Sequence, residues 1–135
     1  MSPVVMPAIT ILTAATMALL GCGLAVWVIV QRVRLKVEWG DGGNVQMAQA
    51  VRAHANFAEH VPMALLALAV CELAGASRPL LVGFAAVLLL GRLLSAVGLT
   101  RSLGPSIPRQ AGASLTIAAT AGAALHALWS AVGAG

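Results

Sequence analysis

Four long apolar runs constrain this sequence more than any other feature. Each is about as long as a helix must be to cross ~30 Å of hydrocarbon at a rise of ~1.5 Å per residue. Only 9% of the residues are charged, far below the ~25% that is typical of soluble domains. The sequence therefore predicts an all-α fold, an integral membrane four-helix bundle that forms one domain over residues 1–135. The expected spans cover residues 7–30, 44–74, 79–99 and 108–132.

Basic residues gather on one side of the predicted bundle. The loops that follow the first and third spans, with the entry to the fourth, contain Arg32, Arg34, Lys36, Arg101 and Arg109. Because cytoplasmic loops carry an excess of Lys and Arg, these two loops are expected to face the cytoplasm, which in a bacterium places the protein in the inner membrane. Basic residues that flank apolar runs are typical of topology signals and of contact with the lipid bilayer, so nucleic acid is excluded as a partner.

A polar stripe interrupts the second apolar run. Arg52, Asn56 and Glu59 lie at i, i+4 and i+7, and Gln49 lies one turn earlier. A helix of ~3.6 residues per turn therefore places these side chains on one face. Inserting a charged side chain at the centre of a membrane-spanning helix costs roughly 2.5–3.5 kcal/mol of free energy. The stripe predicts a polar ligand site that faces the cytoplasm.

The partners of these charges leave two interpretations open. Arg52 and Glu59 are two turns apart, which exceeds the i,i+4 spacing of an ideal helical ion pair, so each is expected to have a partner elsewhere. Arg92 is the only charged residue within the third span and is the expected partner of Glu59. The alternative is that such a pair is structural and holds the second and third spans together without any ligand.

Small residues and two isolated cysteines are the remaining signals. The fourth span carries two runs of small residues, 111–114 and 118–124, which favour close packing inside the bundle, with an oligomer interface as the alternative. Cys22 and Cys71 lie far apart in apolar runs, and no Cys and His cluster has metal-ligand spacing. The sequence therefore predicts neither a disulfide nor a metal site.

The polar stripe resembles the signature of a known family. The pattern R-A-x-x-N-x-x-E-x-x-P of residues 52–62 is similar to the second helix of the MAPEG family, the membrane-associated proteins in eicosanoid and glutathione metabolism. Four spans in 135 residues, a basic first loop and the stretch G-R-L-L of residues 91–94 also fit that family. The resemblance implies a homotrimer of four-helix bundles, with glutathione bound as a cosubstrate between neighbouring subunits.

The resemblance also implies roles for individual side chains. Arg109 is the best match for the arginine that stabilises the glutathione thiolate, which makes it the expected catalytic residue. His60 stands where some members have a tyrosine, and the tyrosines of the third helix fall at Ser95 and Leu99, since this chain contains no tyrosine. The residues expected to bind glutathione are Arg34, Arg52, Asn56, Glu59, His60 and Arg92.

Three functions are compatible with these features. The first is a microsomal-type glutathione transferase or peroxidase that acts on a lipophilic small-molecule substrate through the glutathione thiolate. The second is a non-catalytic scaffold or accessory subunit that keeps the MAPEG fold and joins a larger membrane complex. The third is a small proton-coupled exporter that uses Glu59, although such exporters usually centre on a lone acid.

Overall fold

The computed structural model describes residues 6–102 and 104–133 and contains four long helices within them. They are α1 (Ala8–Leu35), α2 (Val45–Leu73), α3 (Arg78–Arg101) and α4 (Ile107–Gly133). Each is long and apolar enough to cross a bilayer. The predicted all-α membrane four-helix bundle is confirmed at this level, whereas its assembly as a homotrimer stays a prediction.

The first helix is longer than predicted at its basic end. α1 continues to Leu35 instead of ending near residue 30, so Arg32 and Arg34 lie in its last turn and not in the first loop. Cations are favourable at helix C-termini because they meet the negative end of the helix dipole. The Arg32 guanidinium also holds the loop that follows, since its Nη1 donates at 3.2–3.4 Å to the backbone oxygens of Val37, Glu38 and Gly40.

The helices pack unequally, and α1 is the outermost. α3 and α4 share the most extensive contact, α2 packs on both, and α1 touches α2 and part of α3 but not α4 among the described residues. The buried residues of α1, which are Thr10, Thr13 and Met17, all lie in its first half. A cavity lies between α3 and the middle of α1, where residues from Thr16 to Leu24 line it. The core comprises two apolar clusters, one of Met17, Val61, Ala64, Leu88 and Ala119 and the other of Leu68, Cys71, Leu81, Ala123 and Ala127.

Glycines allow α3 and α4 to approach each other closely. A Cβ on Gly112 would lie 2.5 Å from the backbone nitrogen of Ser95, and a Cβ on Gly98 would lie 2.7 Å from that of Arg109. The close-packing interpretation of the small residues in α4 therefore holds for its inner face. Other small residues of α4, such as Ala121, are exposed, so an oligomer interface remains an interpretation for the outer face.

Glu72 fastens the start of α1 to the end of α2. Its Oε1 accepts a hydrogen bond from the Ile9 N–H at 2.9 Å, and its Oε2 accepts one from the Thr10 N–H at 2.7 Å. These amides belong to the first turn of α1, where backbone N–H groups have no partner inside the helix. A carboxylate is also stabilised there by the positive end of the helix dipole. The role of Glu72 is not predictable from the sequence, because no local spacing indicates that α1 begins beside it.

Replacing Gly112 by alanine should destabilise the bundle, because the new Cβ has no room against α3. Overpacking of this kind costs ~1–3 kcal/mol. Gly83→Ala in α3 is the matched control, since a Cβ at Gly83 meets nothing within 4 Å. Thermal unfolding in detergent, followed by circular dichroism, should give a lower midpoint for Gly112→Ala alone. Equal midpoints for the two variants would contradict the close approach of the helices.

Replacing Glu72 by alanine should loosen the first turn of α1, because two backbone N–H groups lose their acceptor. Loss of a helix N-cap costs roughly 0.5–2 kcal/mol. Hydrogen–deuterium exchange of the protein in nanodiscs should therefore become faster at Ile9 and Thr10. Glu59→Ala, which removes an exposed acid from the same helix, is the control and should leave these amides unchanged. Unaltered exchange in Glu72→Ala would show that the carboxylate does not hold α1.

Candidate functional site

A buried arginine lies at the centre of the bundle. Arg92 is 2% exposed and belongs to the middle of α3. Its Nε donates to Thr116 Oγ1 at 2.9 Å, and its Nη2 donates to Ser95 Oγ at 2.9 Å. Its Nη1 donates to both the backbone oxygen and Oδ1 of Asn56, each at 3.2 Å. One guanidinium therefore joins α2, α3 and α4.

The expected ion pair between Arg92 and Glu59 is wrong. The hydrogen-bond acceptors of Arg92 are all neutral, whereas Glu59 Oε1 lies 3.8 Å from Arg52 Nη1. The Arg52 and Glu59 side chains are 50% and 51% exposed, so this pair lies on the surface of α2. The expectation that each of these two residues has a partner elsewhere is also wrong, because long side chains reach across the two intervening turns. The lone buried acid of the exporter hypothesis is not found at Glu59.

Asn56 and His60 belong to the interior network. His60 Nδ1 donates to the backbone oxygen of Asn56 at 2.9 Å, and the same oxygen accepts a hydrogen bond from Arg92. A buried polar group without a partner costs ~1–3 kcal/mol, so these bonds stabilise the part of the stripe that faces the other helices. The stripe is therefore divided, with Asn56 on the interior side and Arg52 and Glu59 at the surface.

Two arginines meet at a cavity of about 390 Å³ beside the first loop. α2 contributes Arg52, the first turn of α4 contributes Arg109, and the loop contributes Asp41. The two guanidinium groups and the carboxylate give this cavity the charges needed to bind a zwitterionic ligand with more than one acid group. The other lining residues are small or apolar, namely Gly40, Ala48, Val51 and Ala55.

The first loop has a defined shape that places Asp41 at this cavity. Asp41 Oδ1 accepts a hydrogen bond from the Gly43 N–H at 2.9 Å, and Asn44 caps α2 by accepting from two backbone N–H groups of its first turn. Gly42 has a φ of +57°, and a Cβ there would lie 3.0 Å from Val37 Cγ2, so this position requires glycine. Asp41 is not among the residues predicted for the site, although its place in a Gly-Asp-Gly-Gly turn is a signal that the sequence contains.

The positions matched to the family's tyrosines are not part of the cavity. Ser95 and Leu99 are 3% and 1% exposed, and α4 approaches the Ser95 backbone through Gly112. A tyrosine at position 95 would displace α4, whereas a serine allows the contact and accepts a hydrogen bond from Arg92. Ser95 and Thr116 are not predictable from the sequence as partners of Arg92, because single hydroxyl groups in apolar helices form no recognisable pattern.

The residues predicted for the site do not form one cluster. Arg34 is exposed in the last turn of α1 and does not line the cavity of about 390 Å³. No group of three His, Cys, Asp or Glu side chains that could hold a metal occurs in residues 6–102 and 104–133. Arg52 and Arg109 line the cavity, and Glu59 is paired with Arg52 beside it. Asn56, His60 and Arg92 form an interior group, and Arg34 is exposed.

Comparison with known proteins agrees with the resemblance found in the second helix. The model of the MAPEG family matches residues 10–129. The inner membrane protein YecN of Escherichia coli K12 is 32% identical over 90 residues, which cover 67% of this chain and 69% of YecN. YecN of Escherichia coli O6:H1 gives the same values. No solved structure matches this chain.

Replacing Thr116 by valine should destabilise the bundle, because Arg92 Nε loses its acceptor inside an apolar interior. An unsatisfied buried donor costs ~1–3 kcal/mol, and more when the group is charged. Thr120→Val is the matched control, since the Thr120 hydroxyl donates to the Thr116 carbonyl of its own helix. Thermal unfolding in one detergent should separate the two variants by several degrees. Equal midpoints would mean that the Arg92 network does not support the bundle.

Proposed function

The chain belongs to the MAPEG family, and we propose that it binds glutathione in the cavity that Arg52 and Arg109 line. The observation that carries this proposal is that Arg52 of α2, Arg109 of α4 and Asp41 of the first loop line one cavity. Arg52 and Arg109 are 57 positions apart in the sequence, by subtraction of their numbers, and only the fold brings them together. Their meeting at one cavity therefore supports a binding site more strongly than either residue does alone.

The chemistry of glutathione suits these side chains. The tripeptide carries two carboxylates, one ammonium and one thiol. Guanidinium groups bind carboxylates through paired charge-assisted hydrogen bonds. The ammonium can be bound by Asp41 or by Glu59, which lies beside Arg52. The cavity volume of about 390 Å³ falls within the ~300–1,000 Å³ that is usual for small-molecule sites.

Arg109 is the proposed catalytic residue. A cation close to a thiol stabilises the thiolate, which is the nucleophilic form. In a transferase reaction the thiol proton passes to solvent, the sulfur forms a bond to an electrophilic carbon, and the leaving group departs with the bonding electrons. The lipophilic small-molecule substrate would reach the thiolate from the bilayer, since the helices that carry the cavity are apolar over most of their length.

The proposed assembly is a homotrimer in a bacterial inner membrane. The named relative is an inner membrane protein, and four helices of this chain can cross a bilayer. The excess of Lys and Arg in the loops after α1 and α3 supports a topology in which these loops face the cytoplasm. Arg34 and Glu59 are exposed, so a neighbouring subunit can bring its own Arg34 to the cavity and complete the glutathione site.

A second candidate function is a non-catalytic scaffold that retains the fold. The bonds that Arg92 makes to Asn56 and Thr116 favour this alternative, because they show a structural use for part of the polar stripe. The scaffold would associate with a larger membrane complex. Glutathione binding distinguishes the two functions, since a scaffold has no need for a cavity lined by two arginines.

Calorimetric titration of glutathione into the protein in nanodiscs distinguishes the two functions. Wild-type protein should bind, and Arg52→Gln and Arg109→Gln should each weaken binding by about tenfold or more, because a hydrogen bond to a charged group contributes ~1.5–3 kcal/mol. Turnover of a chromogenic electrophile should be lost in Arg109→Gln and only reduced in Arg52→Gln.

Arg78→Gln is the matched control for this titration. Arg78 is exposed at the start of α3, and the cavity lies beside the end of that helix and the start of α4. Removing its charge should leave glutathione binding unchanged. Wild-type protein that binds no glutathione at millimolar concentration would overturn the proposal and favour the scaffold. The proposal would also fail if all three variants weakened binding equally, since the effect would then come from net charge alone.

A further inference from the structure

A cysteine and a histidine meet inside the bundle, at the end opposite the cavity of Arg52 and Arg109. Cys71 Sγ lies 3.7 Å from His126 Nδ1, and the same ring nitrogen lies 3.5 Å from Ser130 Oγ. Cys71 belongs to the last turn of α2, and the other two residues belong to the last third of α4. Because Cys71 and His126 are 55 positions apart, no local spacing in the sequence predicts this pair.

The surroundings of the pair are apolar. Cys71 is 0% exposed and belongs to the core cluster that also contains Leu68, Leu81 and Ala123. His126 is half-buried, so its ring lies between this core and the surface of α4. The thiol is therefore shielded from water, and the imidazole is its polar neighbour across the interface of α2 and α4.

The distances in this group suit two ligands of one metal ion better than they suit hydrogen bonds. A thiol is a weak hydrogen-bond donor. Hydrogen bonds between nitrogen and oxygen span ~2.7–3.2 Å, whereas Ser130 Oγ and the ring nitrogen are 3.5 Å apart. With bonds of ~2.3 Å to sulfur and ~2.0 Å to nitrogen, as zinc makes, two atoms that lie 3.7 Å apart subtend an angle of roughly 120° at the ion. An ion in a three-coordinate site can therefore bind between Sγ of Cys71 and Nδ1 of His126 without a shift of either helix.

Ligand type and charge identify the ion as copper(I). Thiolate selects copper(I) among the first-row metals, and imidazole also suits copper. Copper(I) is satisfied by two or three ligands, whereas structural zinc sites hold four. One thiolate and one copper(I) have no net charge together, whereas a divalent ion would leave a positive charge inside an apolar core, which is costly. Glu72 is next to Cys71 but does not supply the missing charge, because both of its carboxylate oxygens accept hydrogen bonds from the first turn of α1.

We propose that Cys71 and His126 bind one copper(I) ion between α2 and α4. On binding, the thiol of Cys71 releases its proton to solvent and its sulfur forms a bond to the ion. His126 binds through the lone pair of Nδ1, so its proton stays on Nε2. The copper keeps its oxidation state, and no electron is transferred. Ser130 Oγ or a water molecule occupies the third position.

This site is separate from the proposed glutathione site. Cys71 lies 19 positions beyond Arg52 in α2, by subtraction of their numbers, which corresponds to about 28 Å of helix. His126 follows Arg109 in α4 by 17 positions in the same way, which corresponds to about 26 Å. The copper proposal therefore does not depend on whether glutathione binds.

Competition for copper(I) with the coloured chelator bicinchoninate tests the proposal. The protein is kept in detergent under nitrogen, with ascorbate to hold the copper reduced. Cys22→Ser serves as the parent, because Cys22 is exposed and its thiol would bind copper(I) independently. The parent should withdraw one copper(I) per chain from the chelator. In this background Cys71→Ser should withdraw none, and His126→Gln should bind at least about tenfold more weakly, because one of the two strong ligands is lost.

His54→Gln is the matched control for His126→Gln. His54 lies in the first half of α2, far along the helix from Cys71, so its loss should leave copper binding unchanged. The proposal is overturned if the parent leaves all copper with the chelator, or if His126→Gln binds as tightly as the parent does. It is also overturned if His54→Gln weakens binding as much as His126→Gln, or if equimolar zinc displaces the copper.

X-ray absorption at the copper edge of the loaded parent tests the ligands without relying on the folding of any variant. The spectrum should show one sulfur ligand and at least one nitrogen ligand. Two sulfur ligands would mean that the ion joins two chains, and no sulfur ligand would mean an adventitious ion only; either result would overturn the proposal. Arg52→Gln, which should lose glutathione binding, should give the same copper spectrum, so the two proposals fail independently.

Discussion

The fold depends on keeping one cation inside an apolar interior. Removing a guanidinium from water costs several kcal/mol, and neutral acceptors offset that cost only when they are held in the right positions. The acceptors of Arg92 come from three helices, so α2, α3 and α4 must keep their mutual spacing. Gly91 serves the same requirement, because a Cβ there would lie 2.8 Å from Thr116 Oγ1. The hydrogen bonds of Arg92 and the close packing of α2, α3 and α4 therefore depend on each other.

The sequence predicts what depends on local properties and misses what depends on distant contacts. Spans follow from apolar runs, and a shared helix face follows from spacing, so the four helices and the stripe of Arg52, Asn56 and Glu59 are predictable. The hydrogen-bond partners of Arg92 are not predictable from the sequence, because they depend on how α3 faces α2 and on which hydroxyl groups lie nearby. The end of α1 was also placed too early, since Arg32 and Arg34 look like loop residues until the loop carbonyls that Arg32 holds are known.

The polar stripe combines two kinds of residue that a helical projection cannot separate. Asn56 takes part in holding the helices together, whereas Arg52 is half-exposed and meets Arg109 at a cavity. One sequence signature therefore combines a residue that holds helices together with a residue that lines a cavity. Asp41, which lies outside the matched stretch of residues 52–62, completes the charges of that cavity. The proposed chemistry rests on residues brought together by the loop and by α4 as much as on the second helix.

The attachment of α1 has a consequence for how this protein can change during evolution. Glu72 holds the first turn of α1, and Arg32 holds the loop at its last turn, while the second half of the helix contributes no buried residue. When both ends of a helix are held in place, substitutions between the two ends change the free energy of unfolding little. Apart from Arg32 and the proposed ligand residue Arg34, the side chains along this half are therefore freer to diverge among descendants of one ancestor than the residues of α2, α3 and α4 that surround Arg92.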